Sequence, residues 1–400
     1  MKILRNLLDY AGRMFSPGKR LGIFYPLFEA TDAFFFTTGK TASGSVHIRD
    51  AINLKRLMSA VVLALVPCII MAMYNTGYQA GLHADVQNLA GWRGSILALL
   101  NLQPDSTNIL TCLITGSLYF VPLLAVCGLA GAFWEILFAV VRKEEINEGF
   151  FVTMFLIPLI LPPGIPLWQA ALGTSFGIVF GKEVFGGTGM NFLNPALTAR
   201  VFLFFSYPGA MSGDAVWTVH ADAITAATPL ANLASGLPAG VNWLDACIGL
   251  IPGAMGETSA LACLAGGVFL ILSGAASPRI ILSVCAGAIF TALGMNILAP
   301  HFSNPMLYVT PAWHMVLGGF AFGTMFMATD PVSAAVTPAG KIIYGLLIGT
   351  LVILIRTVNP AFPEGMMFAI LLGNILAPLI DYMIITLHSA KRQRILHDRI

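Results

Sequence analysis

Asn194-Pro195, Thr228-Pro229 and Asp330-Pro331 pair a helix-capping residue with proline. Each predicts an N-cap followed by proline at the first helical position. Free amides and the positive end of the helix dipole suit such places to anions or phosphate groups. Ordinary helix initiation is the plainer reading of each. Thr228 closes the segment Asp222-Ala223-Ile224-Thr225-Ala226-Ala227-Thr228, and no Lys or Arg occurs anywhere between Arg200 and Arg279. A phosphodiester on Thr228 would therefore rest on backbone amides rather than on cations. Taken by itself, Thr228 is a loop threonine.

Acidic residues form the second group. Glu135 lies deep within an apolar run, and Glu257, Asp330, Glu364 and Asp381 lie in or at the edges of later ones. A charge at mid-membrane costs about 2.5–3.5 kcal/mol on insertion scales, so such acids face the bundle interior or a water path. There they can ligate a cation through oxygen. Helix capping for Asp330, and an interfacial position for Glu364 and Asp381, are the competing readings. The six cysteines, Cys68, Cys112, Cys127, Cys247, Cys263 and Cys285, lie in or beside apolar runs without a CxxC spacing, and the seven histidines form no HExxH. They read as small core residues. No metal centre and no catalytic residue is expected from this chain alone.

The elements that must hold these residues are membrane helices. Of 400 residues, 57% are hydrophobic and 10% charged, against about 25% charged in a soluble domain. Mean hydropathy is +0.82. So apolar a chain of this length needs lipid as its solvent. Ten apolar runs, 57–75, 110–140, 150–163, 167–181, 196–207, 246–275, 280–299, 313–329, 341–357 and 365–387, predict an all-α polytopic membrane protein of about ten transmembrane helices. Residues 1–56 hold nine of the 21 Lys/Arg, and Lys391, Arg392, Arg394 and Arg399 mark the tail. The positive-inside rule then places both termini in the cytoplasm. This divides the chain into a cytoplasmic segment 1–56, a membrane domain 57–387 with an external loop 208–245, and a basic tail 388–400. Lys182, Arg200, Arg279, Lys341 and Arg356 read mostly as single topology markers, with Arg93 and Arg356 dissenting from the pattern. Net charge is +2, and no basic patch interleaved with aromatics indicates nucleic acid.

Met1–Phe15 puts Leu4, Leu7, Leu8, Ala11, Met14 and Phe15 on one helical face, the pattern of an interfacial helix; a cap docked on a partner is the alternative. No cleavable signal peptide is expected. Phe151-Val152-Thr153-Met154-Phe155 echoes Phe322-Gly323-Thr324-Met325-Phe326. With five spans per unit, that echo predicts two inverted five-helix repeats.

The 222–228 segment resembles the flavin-transferase recognition pattern Asp-Gly-x-Ser/Thr-Gly-Ala-Thr, whose last threonine receives FMN through its phosphate. Asp222, Thr225, Ala227 and Thr228 match, and Ala223 and Ala226 stand where the pattern has glycine. The likeness extends along the chain. His47-Ile48-Arg49-Asp50, Gly131-Ala132-Phe133-Trp134-Glu135, Asn147-Glu148-Gly149-Phe150-Phe151 and Leu167-Trp168-Gln169-Ala170-Ala171-Leu172-Gly173 carry it. So do Lys182 through Gly189, Asn191 through Leu197, Met327 through Ala334 and Asn359 through Met367. Together these resemble the B subunits of Na⁺-translocating NADH:quinone reductases, which share their membrane fold with the D subunits of Rnf-type ferredoxin:NAD⁺ complexes. The long basic N-terminal segment with Phe28-Glu29-Ala30 is more similar to the former.

The resemblance implies a translocase subunit within a complex of six subunits in the bacterial inner membrane, modified by a flavin transferase. Electrons would pass from NADH on another subunit to covalent FMN on Thr228, then to noncovalent riboflavin near Asn191 and Asn194, then to ubiquinone, with Na⁺ exported. Quinone is expected around Gly131, Glu135, Phe202 and Phe204 and the N-terminal helix. Glu135, Asp330 and Asp381 are expected on the ion path, so that Asp381→Asn should impair Na⁺ stimulation with flavin content intact. A cofactor-free transporter or channel, an Rnf-type subunit, or a scaffold without flavin remain open.

Overall fold

The computed structural model describes residues 2–15, 19, 22, 25, 28, 32, 36, 54–82, 92–143, 149–212, 216–218, 228–359 and 364–397. Among these no strand occurs. Among the helices are α1 (Lys2–Phe15), α2 (Leu54–Leu82), α3 (Ile109–Arg142), α4 (Gly149–Ile160), α5 (Leu167–Gly181), α6 (Pro195–Ser206), α7 (Pro229–Ala234) and α8 (Trp243–Ile248). They continue with α9 (Ala260–Leu272), α10 (Pro278–Leu298), α11 (Pro311–Val316), α12 (Phe320–Phe322, running into a π turn at Gly323–Met327), α13 (Pro338–Val358) and α14 (Met366–His397). Five are long and apolar enough to cross a membrane: those over Arg56–Leu82, Ile109–Arg142, Pro278–His301, Pro338–Val358 and Met366–Arg392. Their outward residues stay apolar, as Leu129, Phe133, Leu282, Phe290 and Ile297 show. A surface of this kind is solvated by lipid rather than water. The expected all-α polytopic fold is therefore the one observed, and α1 forms where the amphipathic pattern placed it.

Each predicted apolar run is helical in whole or part, but two are broken. The run 246–275 splits into α8 and α9 around the non-helical stretch 249–259. The run 313–329 splits into α11 and α12 at Gly318 and Gly319, which take φ of 64° and 68°. Two successive left-handed residues end a helix, and only glycine accepts that conformation without strain. The 208–245 segment is not simply a loop, since α7 and the start of α8 lie within it. Arg93 is a staple and not a topology signal: it donates to the Leu118 carbonyl at 3.1 Å and lies over the rings of Trp92 and Tyr119.

Packing directions reveal two related halves. In the first, α3 and α5 run parallel, Gly131 meeting Ile178 and Glu135 meeting Lys182. Helices α5 and α6 run antiparallel, Gly173 meeting Leu203 and Gly181 meeting Thr198. In the second, α10 and α13 run parallel, Ser283 meeting Gly345 and Thr291 meeting Thr350. There α13 and α14 run antiparallel, Gly340 meeting Asp381 and Gly365 meeting Val352. The lead helices α2 and α9 cross antiparallel, with Ala64 against Gly266 and the Cys68 and Cys263 sulfurs 3.8 Å apart. Helix starts at Gly149, Leu167 and Pro195 recur with identical spacing at Phe320, Pro338 and Met366. The echoed pentapeptides begin at the third residue of α4 and of α12. An inverted repeat accounts for all of these matches.

Close helix approach depends on small residues, as in other membrane bundles. A Cβ on Gly116 would sit 1.7 Å from the Met73 carbonyl oxygen, and one on Gly77 would sit 1.9 Å from that of Cys112. Backbone cannot yield by rotamer change, so α2 and α3 must separate. Gly116→Ala is expected to destabilise the protein by about 1–3 kcal/mol, read as an earlier thermal transition in detergent; an unchanged transition would refute the close packing.

Candidate functional site

Two cavities occupy opposite ends of α9, whose 13 residues span about 20 Å. One holds Thr228, and the other holds Asn191, Asn194 and Asp330.

The Thr228 cavity, about 390 Å³ including its mouth, is walled by Pro229 and Leu230, by the break at 251–258, by Leu317, Gly318 and Gly319, and by Glu364. Thr228 caps α7 as its motif predicts, its Oγ1 accepting from the Ala231 amide at 3.2 Å. Thr258 Oγ1, in the same wall, is buried without a hydrogen-bond partner. Asp222 and Thr225 lie outside the described residues. Behind the wall stand two buried arginines. Arg200 of α6 donates to Glu257 at 2.6 Å and to Glu364 at 2.7 Å. Arg356 of α13 is fully buried and donates to the carbonyls of His314, Leu317, Gly318 and Glu364 at 2.7–3.2 Å. Arg200 is not the topology marker expected from the sequence but an interior counter-charge to Glu257 and Glu364, and Arg356, which already dissented from that pattern, ties the backbone at His314–Gly318 to that of Glu364. Nothing local to Arg200 announces partners 57 and 164 residues away.

The second cavity, about 640 Å³ including its mouth, is lined by Met58 and Val61 of α2, by Gly149, Thr153 and Leu156 of α4, and by Lys182, Thr188, Asn191, Asn194 and Pro195. Leu270, Ala276 and the turn Thr329–Val332 complete it. Asn194 caps α6 as predicted, its Oδ1 accepting from the Ala196 and Leu197 amides at 3.0 and 3.3 Å. Its NH₂ group is outside that cap. Asn191 accepts from the Gly189 amide and donates to the Leu193 carbonyl. Thr188 Oγ1 is buried without a partner. Asp330-Pro331 starts no helix, against expectation. Asp330 accepts from Ser333 Oγ at 2.7 Å in a turn, and Thr337-Pro338 starts α13 instead. The same cap-plus-proline signal stands unread at Ser277, Asn304 and Thr310.

The expected quinone residues divide. Gly131 and Glu135 lie one turn apart on the face of α3 against α5. Phe202 stacks on Phe176 of α5 at 4.3 Å, whereas Phe204 packs on Phe368 of α14. Glu135 accepts from Lys182, and Arg142 pairs with Glu183 at 2.8 Å. In the connection after α5, burial pushes the Glu183 carboxyl above its usual range, with Glu135 adding to the effect and Lys182 and Arg142 opposing it. Asp381 accepts from the Val336 and Thr337 amides at 2.7 and 3.0 Å, so it ties the start of α13 to α14.

The cavities occupy matching places in the two halves. One touches the starts of α4 and α6, the other the residues just before α12 and α14. The fold and its sites thus define a helical membrane protein of inverted halves, with one cavity toward each end.

The chain belongs to the NQR2, RnfD, RnfE family, whose model matches residues 41–388. It is 50% identical to the B subunit of the Na(+)-translocating NADH-quinone reductase from Ectopseudomonas mendocina, over 97% of this chain and 98% of that relative. The B subunits of the same reductase from Azotobacter vinelandii and Yersinia pestis are 49% and 48% identical, each over 98% of both chains.

Proposed function

We infer that this chain is the subunit of a Na⁺-translocating NADH:quinone reductase that carries electrons across the membrane between two flavin stations, FMN linked to Thr228 and riboflavin in the Asn191–Asn194 cavity. The single observation that carries this reading is the placement of these residues in two cavities at opposite ends of one bundle. Relatives half identical over nearly their full length bear the reductase name.

Each cavity offers polar groups to a flavin, its wall holding a buried threonine hydroxyl that lacks a partner, Thr258 in one and Thr188 in the other. Bound flavins supply stepwise electron transfer. The chain's own residues bind, orient and exclude water. Thr228 offers its Oγ1 for the phosphoester, and Gly318 and Gly319 line the same cavity. Asn194 offers an amide NH₂ to a flavin edge. Ubiquinone is reduced beside Gly131 and Glu135, with Phe202 nearby, and Na⁺ passes by way of Glu135, Asp330 and Asp381. The complex has six subunits and lies in the bacterial inner membrane. Both termini of this chain are cytoplasmic, and a flavin transferase modifies it.

The test is in-gel flavin fluorescence of the denatured protein and of its Thr228→Val variant, with the transferase co-expressed. A fluorescent wild-type band lost in the variant is expected. A dark wild-type band, with the transferase active on a control substrate, would overturn the covalent station and favour a cofactor-free permease built on the same broken helices.

A further inference from the structure

Where α2 and α9 cross, two thiols face each other. A Cβ on Gly266 would collide with the Ala64 carbonyl oxygen, so the helices touch backbone to backbone. One turn further along α2, Cys68 Sγ donates to Cys263 Sγ at 3.8 Å. The two side chains are 1% and 0% exposed, and both cysteines are free. They lie 195 residues apart in the chain, one in each half of the bundle.

Either thiol alone is a small core side chain. Side by side they are two soft donors, the ligand type that selects a soft cation. Zinc asks for four donors, and among the described residues no three His, Cys, Asp or Glu side chains gather as a metal site. The pair therefore suits an ion that takes two ligands on a line. Metal–sulfur bonds of about 2.3 Å place such sulfurs about 4.6 Å apart, so from 3.8 Å each sulfur moves outward by about 0.4 Å. A disulfide, at about 2.05 Å, would require the same sulfurs to close by about 1.8 Å. Charge then decides the valence. Two thiolates cancel a divalent ion, and the product brings no net charge into the apolar core. A monovalent ion between two thiolates would bury one uncompensated negative charge.

We propose that Cys68 and Cys263 form a two-coordinate site for a soft divalent cation of the mercuric class, which staples the two halves of the bundle at their crossing. Two S–H bonds break, two metal–sulfur bonds form and two protons leave. Nothing is oxidised or reduced. The Thr228 cavity is the way in. Cys263 Sγ lies 3.9 Å from the Gly256 carbonyl, and the next two residues, Glu257 and Thr258, line that cavity.

Full-length chain purified in detergent tests this, with Cys112, Cys127, Cys247 and Cys285 replaced by alanine and mercuric chloride as the probe. After loading and a wash with excess glutathione, one mercuric ion per chain should remain, because two tethered thiolates form a chelate that a monothiol displaces poorly. X-ray absorption at the mercury edge should show two sulfur neighbours at about 2.3 Å. Adding Cys68→Ala or Cys263→Ala should lower the retained metal roughly tenfold or more, since the chelate is lost. Bound metal should also raise the thermal transition of the chain that keeps both thiols, by linking residues 195 apart, and should leave that of either single variant unmoved. If the four-alanine background fails to fold, the same comparison in the native chain reads the loss of one glutathione-resistant ion on Cys68→Ala. No retained mercury in the chain with both thiols, or equal retention in a single variant, overturns the proposal. So does loss of both thiols without metal, which would mean that the pair closes as a disulfide instead.

Discussion

Arg200→Gln is expected to cost about 3–5 kcal/mol, the range for removing one partner of a buried ion pair. The guanidinium is 6% exposed and Glu257 9%, so water contributes little to either charge. Glu364, at 22%, is partly wetted and loses less. With Arg200 gone, Glu257 must remain charged among apolar neighbours, take up a proton, or move outward. Each course loosens the 249–259 break and the wall of the Thr228 cavity. The expected result is a large fall in the yield of monodisperse protein and a lower thermal transition in detergent. Adding Glu257→Gln should recover part of the loss by removing the orphaned charge. A double variant no better than Arg200→Gln alone would show that the pair does not govern this packing.

Asn194→Leu carries the second large effect. Removing the cap of α6 costs about 1 kcal/mol. An apolar side chain also replaces the amide in the cavity wall. Noncovalent flavin, measured in the supernatant after acid precipitation, should fall at least tenfold, while the covalent flavin on Thr228 persists. Asn194→Asp keeps a capping oxygen but removes the NH₂ group, so it separates helix initiation from recognition. Full flavin retention in the aspartate variant would assign the role of Asn194 to capping alone.

These two residues show what the sequence disclosed and what it hid. Asn194-Pro195 was legible because a cap is a local device: donor and acceptor lie within three residues. Thr228-Pro229 was legible for the same reason, and apolar runs marked α2–α6 and α8–α14. Arg200 was misread because its partners are distant in sequence, and a lone cation between apolar runs resembles a membrane-edge marker; Arg356 dissented from that pattern, but its partners were hidden for the same reason. The runs 246–275 and 313–329 looked continuous because hydropathy averages over a break. Gly318-Gly319 carried that signal locally, as did the glycines and proline of 249–256. Phe202 and Phe204 were expected together beside the quinone from the resemblance, yet residues two apart on a helix point to different sides. Asp381 stood out as an acid in an apolar segment, and its contacts with Val336 and Thr337 became visible only once α13 and α14 were packed together.

The identical spacing of helix starts in the two halves has an evolutionary consequence. A half-chain duplicated and inserted in both senses offers one pocket architecture to each side of the bilayer, so cavities toward both faces need no second invention. Divergence then falls on side chains. Asn194-Pro195 opens α6 at one cavity, while Gly365-Met366, preceded by Glu364, opens α14 at the other. Substitutions at these positions can tune either cavity independently. A change in the length of the chain between Gly149 and Pro195, or between Phe320 and Met366, would instead misplace an entire cavity.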